Sequence, residues 1–222
     1  MNHGTEDQAD HWQRVYSTRR VEEMSWTEAR PDASLALIDR AELPKDAAIL
    51  DVGGGTSRFA DELLQAGYRD VSVADISPAA LERARAELEP DAQCVTWIAA
   101  DVRTHDFARK FDLWHDRAVL HFMVERSDRD AYRATLERSL KPGGRVILAT
   151  FGPNGPTECS GLPVERYDAE GLARLLGGDY ELTDSRVVEH RTPSGKTQQF
   201  TYVLLTRSAN PRDQRQDRTQ PS

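Results

Sequence analysis

The segment Ala48-Ile49-Leu50-Asp51-Val52-Gly53-Gly54-Gly55-Thr56-Ser57 constrains the fold more than any other in the chain. A short apolar run, a carboxylate and three glycines pass directly into the helical pattern Phe59-Ala60-Asp61-Glu62-Leu63-Leu64. This is the signature of a strand, a tight turn and a helix, with glycines where backbone must approach a ligand closely. A second apolar run, Val71-Ser72-Val73-Ala74, ends on Asp75, 24 residues after Asp51. In a βαβ unit a carboxylate at that place can accept the hydroxyls of a ribose, so an adenosine-containing ligand is expected.

The rest of the chain continues the alternation. Strands are expected at about 47–52, 70–75, 94–99, 111–115 and 145–151, and helices at 11–17, 32–39, 57–66, 78–89, 128–140 and 168–176. Ser77-Pro78 supplies an N-cap followed by Pro at the first helical position. Lys141-Pro142-Gly143-Gly144 stops the preceding helix. Two alternating runs, 180–190 and 197–206, flank the turn Thr192-Pro193-Ser194-Gly195-Lys196 and read as a hairpin. The expected fold is therefore α/β: a Rossmann-like, seven-stranded, mostly parallel sheet with an antiparallel C-terminal hairpin and helices on both faces. One domain is expected over residues 11–207, between a disordered leader (1–10) and a disordered, Gln/Arg/Asp/Pro-rich tail (208–222).

Composition narrows the partners. At 222 residues the chain suits one domain with a sizeable core. No run approaches the roughly 20 apolar residues of a membrane span, and the polar, acidic start does not read as a signal peptide. Two cysteines, Cys94 and Cys159, make no disulfide framework and suggest a reducing, cytoplasmic setting. The net charge is −8, and residues 207–222 hold four Arg against two Asp, which leaves the body near −10. Such a body repels a polyanion over most of its surface, so no nucleic-acid partner is expected. The expected partner is a small-molecule substrate, with no membrane association, on a monomer or homodimer.

The glycine spacing separates two ligand types. A dinucleotide turn reads G-x-G-x-x-G, but the third glycine position here is Arg58. D-x-G-x-G, opening on Asp51, fits better. It resembles motif I of class I S-adenosylmethionine-dependent methyltransferases, with Ser57 in place of that family's usual third glycine. The resemblance covers nearly the whole chain from residue 11 to 207. It implies S-adenosyl-L-methionine as cofactor, held at Asp51, Gly53, Gly54 and Gly55, with Asp75 on the ribose and Ile76 against the adenine. Asp101 would meet the adenine amino group beside Val102, and His115 and Asp116 would contact the methionyl part. His11-Trp12-Gln13-Arg14-Val15-Tyr16 and Met24-Ser25-Trp26 resemble the aromatic lead-in of the thiopurine, trans-aconitate and certain lysine-modifying groups. That likeness implies a lid over 11–26, with Trp12 and Tyr16 on one helical face as cofactor contacts.

For the chemistry, His121 is the candidate general base and lies with Trp26, Arg117 and Cys159 among the candidate substrate contacts. Arg117 suits an anionic substrate. The Gly- and Pro-rich loop 152–164 is expected to border the substrate cleft. No metal site is expected, since His115 and His121 are six apart and no Cys/His pair has ligand spacing. The chain lacks the Asn/Asp-Pro-Pro-Tyr/Phe motif used on base amines, a Pro-Cys nucleophile, and the Tyr-x-x-x-Lys of short-chain dehydrogenases. The resulting expectation is methyl transfer to a small acceptor: a thiol or other soft nucleophile, a hydroxyl or a carboxylate. The alternatives are a protein lysine methyltransferase and a catalytically silent S-adenosylmethionine-binding scaffold.

Overall fold

The computed structural model describes residues 3–209. Its elements run α1 (His3–Thr18), α2 (Asp32–Ala41), β1 (Ala48–Val52), α3 (Phe59–Gln65), β2 (Asp70–Asp75), α4 (Pro78–Glu87), β3 (Val95–Ala99) and β4 (Phe111–Arg117). They continue with α5 (Arg126–Ser139), β5 (Leu140–Phe151), β6 (Glu158–Cys159), β7 (Leu162–Pro163), α6 (Ala169–Leu176), β8 (Tyr180–Arg191) and β9 (Thr197–Arg207). Seven strands form one sheet in the order β3-β2-β1-β4-β5-β9-β8. Strands β1 to β5 pair in parallel, whereas β9 pairs antiparallel with both β5 and β8. The seven-stranded, mostly parallel architecture expected from the alternation is the architecture found.

Strand β1 is buried at every residue, as befits a central parallel strand covered on both faces. Because side chains alternate, each strand feeds two cores. Ile49, Leu113 and Ile147 pack with Leu37, Phe59 and Leu63 on the α2/α3 face. Leu50, Trp114 and Leu148 pack with Tyr132, Leu136 and Leu172 on the α5/α6 face. Ser77 caps α4 by accepting from the Ala80 amide at 3.3 Å, with Pro78 at the first position. Asp168 caps α6 in the same way through the Gly171 amide at 2.7 Å.

Three features differ from the sequence-based expectation. The first helix begins at His3 and so takes in most of the expected leader. Strand β5 starts at Leu140 and carries the Lys141–Gly144 breaker within it, because Phe111 of β4 already pairs with Leu140. A two-residue hairpin, β6–β7, turns tightly at Ser160 and Gly161, both at positive φ, inside the loop after β5. The expected disordered tail lies almost wholly outside the described residues. No described helix is long and apolar enough to cross a membrane.

Candidate active site

Sheet order reverses at β1, which lies between β2 and β4, and a crevice opens at the carboxyl ends of these strands. Two adjoining chambers occupy it, sharing Tyr16, Trp26, Gly53 and Arg117 as common wall.

The larger chamber is mainly apolar and extends over the ends of β2 and β3. Asp75, Ile76, Asp101, Val102, Val119 and Phe122 line it, with Cys159 entering from β6. Its roof is aromatic. The Trp12 ring lies 5.6 Å from Trp26 and 5.1 Å from Phe122, both edge-on, and Tyr16 lies 6.1 Å from Trp26. Trp12 and Tyr16 share one face of α1, as their spacing requires. Asp75 accepts from the Ser77 amide at 2.8 Å. Burial, with Asp51 adding like charge, raises its carboxyl to about 7 against the amides of Ser77, Gly55 and Ile76 that hold it down. Asp101 lines the same chamber while Arg103 grips it, donating at 2.7 Å from Nη2 and 3.0 Å from Nε.

The smaller chamber is polar and lies between the glycine turn and α2. Asp51, Gly54, Thr56, Ser57, Glu28 and His115 are among its lining. His115 pairs in register with Asp51 across β1 and β4. Its Nδ1 lies 2.7 Å from Asp51 Oδ1, its Nε2 lies 2.8 Å from Ser34 Oγ, and its ring stacks on Phe59 at 3.9 Å. Both ring nitrogens are thus engaged. Asp51 Oδ2 is buried without a protein partner, an exception to the usual pairing of buried polar atoms.

The glycine turn is tight for a measurable reason. At Gly53, φ is +65°, and a Cβ would stand 2.0 Å from Val119 Cγ2. At Gly54 a Cβ would stand 2.5 Å from Asp51 Oδ2, the free carboxylate oxygen itself. Gly55 sits where Tyr16 Oη and Asp75 Oδ2 converge, 2.8 and 3.0 Å from the place its Cβ would take.

Of four further expected site residues, Asp116 and His121 stand outside both chambers, whereas Arg117 and Cys159 reach the cleft. Asp116 follows His115 on β4 and must point to the opposite face. There it is fully buried and accepts from Tyr132 Oη at 2.6 Å and from the Val119 and Leu120 amides at 2.8 and 3.0 Å. It shapes the turn that carries Val119 into the cleft and does not line either chamber. His121 is fully buried and also lines neither chamber. The Phe151 amide donates to its Nδ1 at 3.4 Å, and burial beside Arg117 lowers the ring to about 3. A ring neutral across the physiological range and walled off from the cleft is not placed to act as the base. Arg117 reaches the cleft, donates to Tyr202 and to the Trp26 carbonyl, and pairs in charge with Glu28, while its Nη2 makes no hydrogen bond. Cys159 lines the apolar chamber as a thiol, pushed up to about 11 by burial. Of the loop after β5, it is the one residue that lines that chamber.

Residues not singled out from sequence complete the site. Ser34 is an ordinary polar position within α2, and Glu28 is one charge among many, so neither carries a signal in the sequence. Val119 follows from Ala118, whose φ of +71° turns the chain back toward Gly53. Among the described residues no group of three or more His, Cys, Asp or Glu could hold a metal ion.

The fold and the cleft define an α/β domain with a two-chambered crevice at a glycine turn. Residues 49–144 match the model of the methyltransferase domain family. Over 151 residues the chain is 30% identical to the ubiquinone/menaquinone biosynthesis C-methyltransferase UbiE of Ruegeria sp. (strain TM1040), covering 60% of this chain and 54% of that one. The chain thus spans about half the length of that curated relative. The structure reported for conversion of a disulfide bond into a thioacetal group during echinomycin biosynthesis superposes with a TM-score of 0.73 at 21% identity, covering 91% of this chain and 94% of that one. The N-methyltransferase NodS from Bradyrhizobium japonicum WM9, solved with S-adenosyl-L-homocysteine, superposes at 0.67 with 15% identity, covering 89% and 99%. At these identities the two structures share the fold.

Proposed function

We propose that the protein is an S-adenosylmethionine-dependent methyltransferase acting on a small molecule. The two-chambered cleft carries this reading: a carboxylate at the end of β2 beside an apolar chamber, which adjoins at Gly53 a polar chamber with an unpartnered carboxylate oxygen. The residues fit the cofactor. Asp75 would take the ribose hydroxyls, Ile76 and Val102 the adenine faces, and Asp51 Oδ2 with the Gly53 backbone the ammonium of the methionyl chain. When bound, S-adenosylmethionine supplies an electrophilic methyl group beside a sulfonium. The aromatic roof of Trp12, Tyr16 and Trp26 favours such a cation and keeps water from the reacting centre.

The same geometry favours some acceptors over others. His115 has both nitrogens engaged, His121 lies outside the cleft, Arg103 grips Asp101, and Arg117 and Glu28 neutralise each other. With Asp51 and Asp75 taken up by the cofactor, no other histidine, aspartate or glutamate among the described residues that line the cleft is free to take a proton from a hydroxyl or an ammonium. An acceptor that brings its own nucleophilic electron pair, such as a thiolate, a selenide or a carboxylate, needs no such help.

The test has two stages. Titration calorimetry with S-adenosylmethionine and with NAD establishes the ligand, and methyl-labelled S-adenosylmethionine in a cell extract reports the acceptor. Label in the small-molecule fraction supports the proposal. Label in nucleic acid or in a single protein band overturns the acceptor class, and tight binding without any transfer favours a cofactor-binding scaffold.

A further inference from the structure

Residues 19–31 connect α1 to α2 and bring Trp26 to the wall between the two chambers. Arg117, at the end of β4, makes three contacts that converge on this loop and the sheet beneath it. Its Nη1 donates to the Trp26 carbonyl at 3.0 Å, its Nη2 stands 3.1 Å from Glu28 Oε1, and its Nε donates to Tyr202 Oη at 2.9 Å. The guanidinium lies 4.8 Å from the centre of the Phe200 ring. A second anchor comes from β8. His190 Nε2 donates to the Ser25 carbonyl at 2.7 Å, and its Nδ1 is 3.7 Å from the same Glu28 oxygen.

These contacts have a common logic. The Ser25 and Trp26 carbonyls belong to a loop with no ladder of its own, and each is satisfied by a side chain planted on a strand. The Arg117 side chain is 11% exposed and Glu28 19% exposed, so the pair is well shielded from solvent and salt. A planar fork serves the Trp26 carbonyl and the Tyr202 phenol in two fixed directions while keeping Glu28 as its ion-pair partner; an ammonium on a flexible stem cannot hold both directions at once.

We infer that Arg117, with Glu28 and His190, is a latch that fixes the Trp26 loop against β4, β8 and β9 before any ligand binds. Arg117 is then a positioning residue that sets the wall between the cofactor chamber and the acceptor space, and it is not the anchor of an anionic acceptor. The latch stands on the contacts alone; its consequence for methyl transfer rests on the function proposed above.

Amide hydrogen exchange on the free, full-length chain tests it, with Arg117→Lys, Glu28→Gln and His190→Ala compared with the parent. The expected result is exchange in residues 20–31 faster by about tenfold or more in all three, with β1, β2 and β4 changed by less than about twofold. S-adenosylhomocysteine affinity, measured by calorimetry, should fall several-fold in parallel. Arg117→Lys is the decisive variant: it keeps the charge, so a merely electrostatic role predicts rescue, whereas the latch predicts an open loop. Unchanged exchange of 20–31 in both Arg117→Lys and His190→Ala overturns the latch. So does acceleration spread evenly over the sheet, which would mark a contribution to global stability alone. Failure of the parent chain to bind S-adenosylhomocysteine would instead overturn the methyltransferase reading, while the exchange data would still decide the latch.

Discussion

His115 Nδ1 stands 2.7 Å from Asp51 Oδ1, and the other oxygen of this chamber-lining carboxylate, Oδ2, is buried without a partner. Ser34, bonded to the far side of the ring at 2.8 Å, and Phe59, stacked on its face, hold the imidazole in place. Asp51→Asn keeps an acceptor for His115 but presents a donor to the ligand's ammonium. It should weaken S-adenosylmethionine binding by about tenfold or more, the scale of losing a charge-assisted bond. His115→Phe, which keeps the stacking and frees Asp51 to rotate, should cost roughly fivefold by the same scale. Calorimetry that shows either variant binding like the parent would remove Asp51 from the ligand contacts.

Asp75 gives a pH dependence whose sign is fixed. Its carboxyl is raised to about 7, and a ribose diol donates to the ionised form. Binding should therefore strengthen as pH rises, with affinity about tenfold weaker at pH 6 than at pH 8 for a single linked proton. Asp75→Asn should bind more weakly and show a flat profile over that range. The free protein should respond in the opposite sense. Asp75 near 7 and Asp116 near 6 both bind a proton more tightly folded than unfolded, where a carboxyl titrates at about 4. Their contribution is complete below about pH 4 and is lost as pH rises through 6 to 7. A ligand-free melting temperature that climbs steadily across that window would contradict this, once other titrating groups are matched in the Asp75→Asn control.

Two glycines separate a steric role from a conformational one. Gly53→Ala places a Cβ 2.0 Å from Val119 Cγ2 at a φ of +65°, so the turn or the Val119 side chain lining the cleft must shift and binding of S-adenosylhomocysteine should be abolished. Gly195→Ala, at a φ of +84° with nothing within 4 Å, should lose only about 1–2 kcal/mol of stability and bind normally. Thermal melts and calorimetry on the pair distinguish the cases.

His121 should behave as a packing residue. Replacing it with Ala leaves a hole between Phe122 and Phe151, whose rings lie 4.4 and 4.8 Å from it, and should cost about 2–4 kcal/mol of stability. Labelled-methyl turnover per folded molecule should fall less than about tenfold, against the 10²-fold or more expected for loss of a general base. A large fall with an unchanged melting temperature would restore His121 to the chemistry.

The latch predicts that the lid expected over residues 11–26 responds in two parts. If the latch holds 20–31 in place, the segment free to respond is α1, whose Gln13 Oε1 accepts from Ser77 Oγ at 3.0 Å and from the Ala79 amide at 3.2 Å. Added S-adenosylhomocysteine should slow exchange in 8–18 and leave 20–31 near its free rate. Equal slowing of both would show a lid that closes as one piece.

The order of elements, the glycine turn and the acidic residue at the end of β2 were legible in the sequence because each is a local signal. Apolar runs bounded by turn residues, an Asp before glycines and a Ser-Pro cap all act over a few residues. The aromatic face of α1 was legible too, since Trp12 and Tyr16 are four apart on a helix. The tertiary structure alone decided what each polar side chain does. His115 and Asp116 are neighbours in sequence, yet the pleat sends one to Asp51 and the other to Tyr132 on the opposite face. His121 and Arg117 belong to the same short segment, but one is sealed behind Phe151 and the other is bound to a loop 91 positions away. Glycine spacing reports backbone geometry, which the sequence encodes directly. The partner of a carboxylate or a guanidinium depends on which strands the sheet brings together, and no local pattern specifies that.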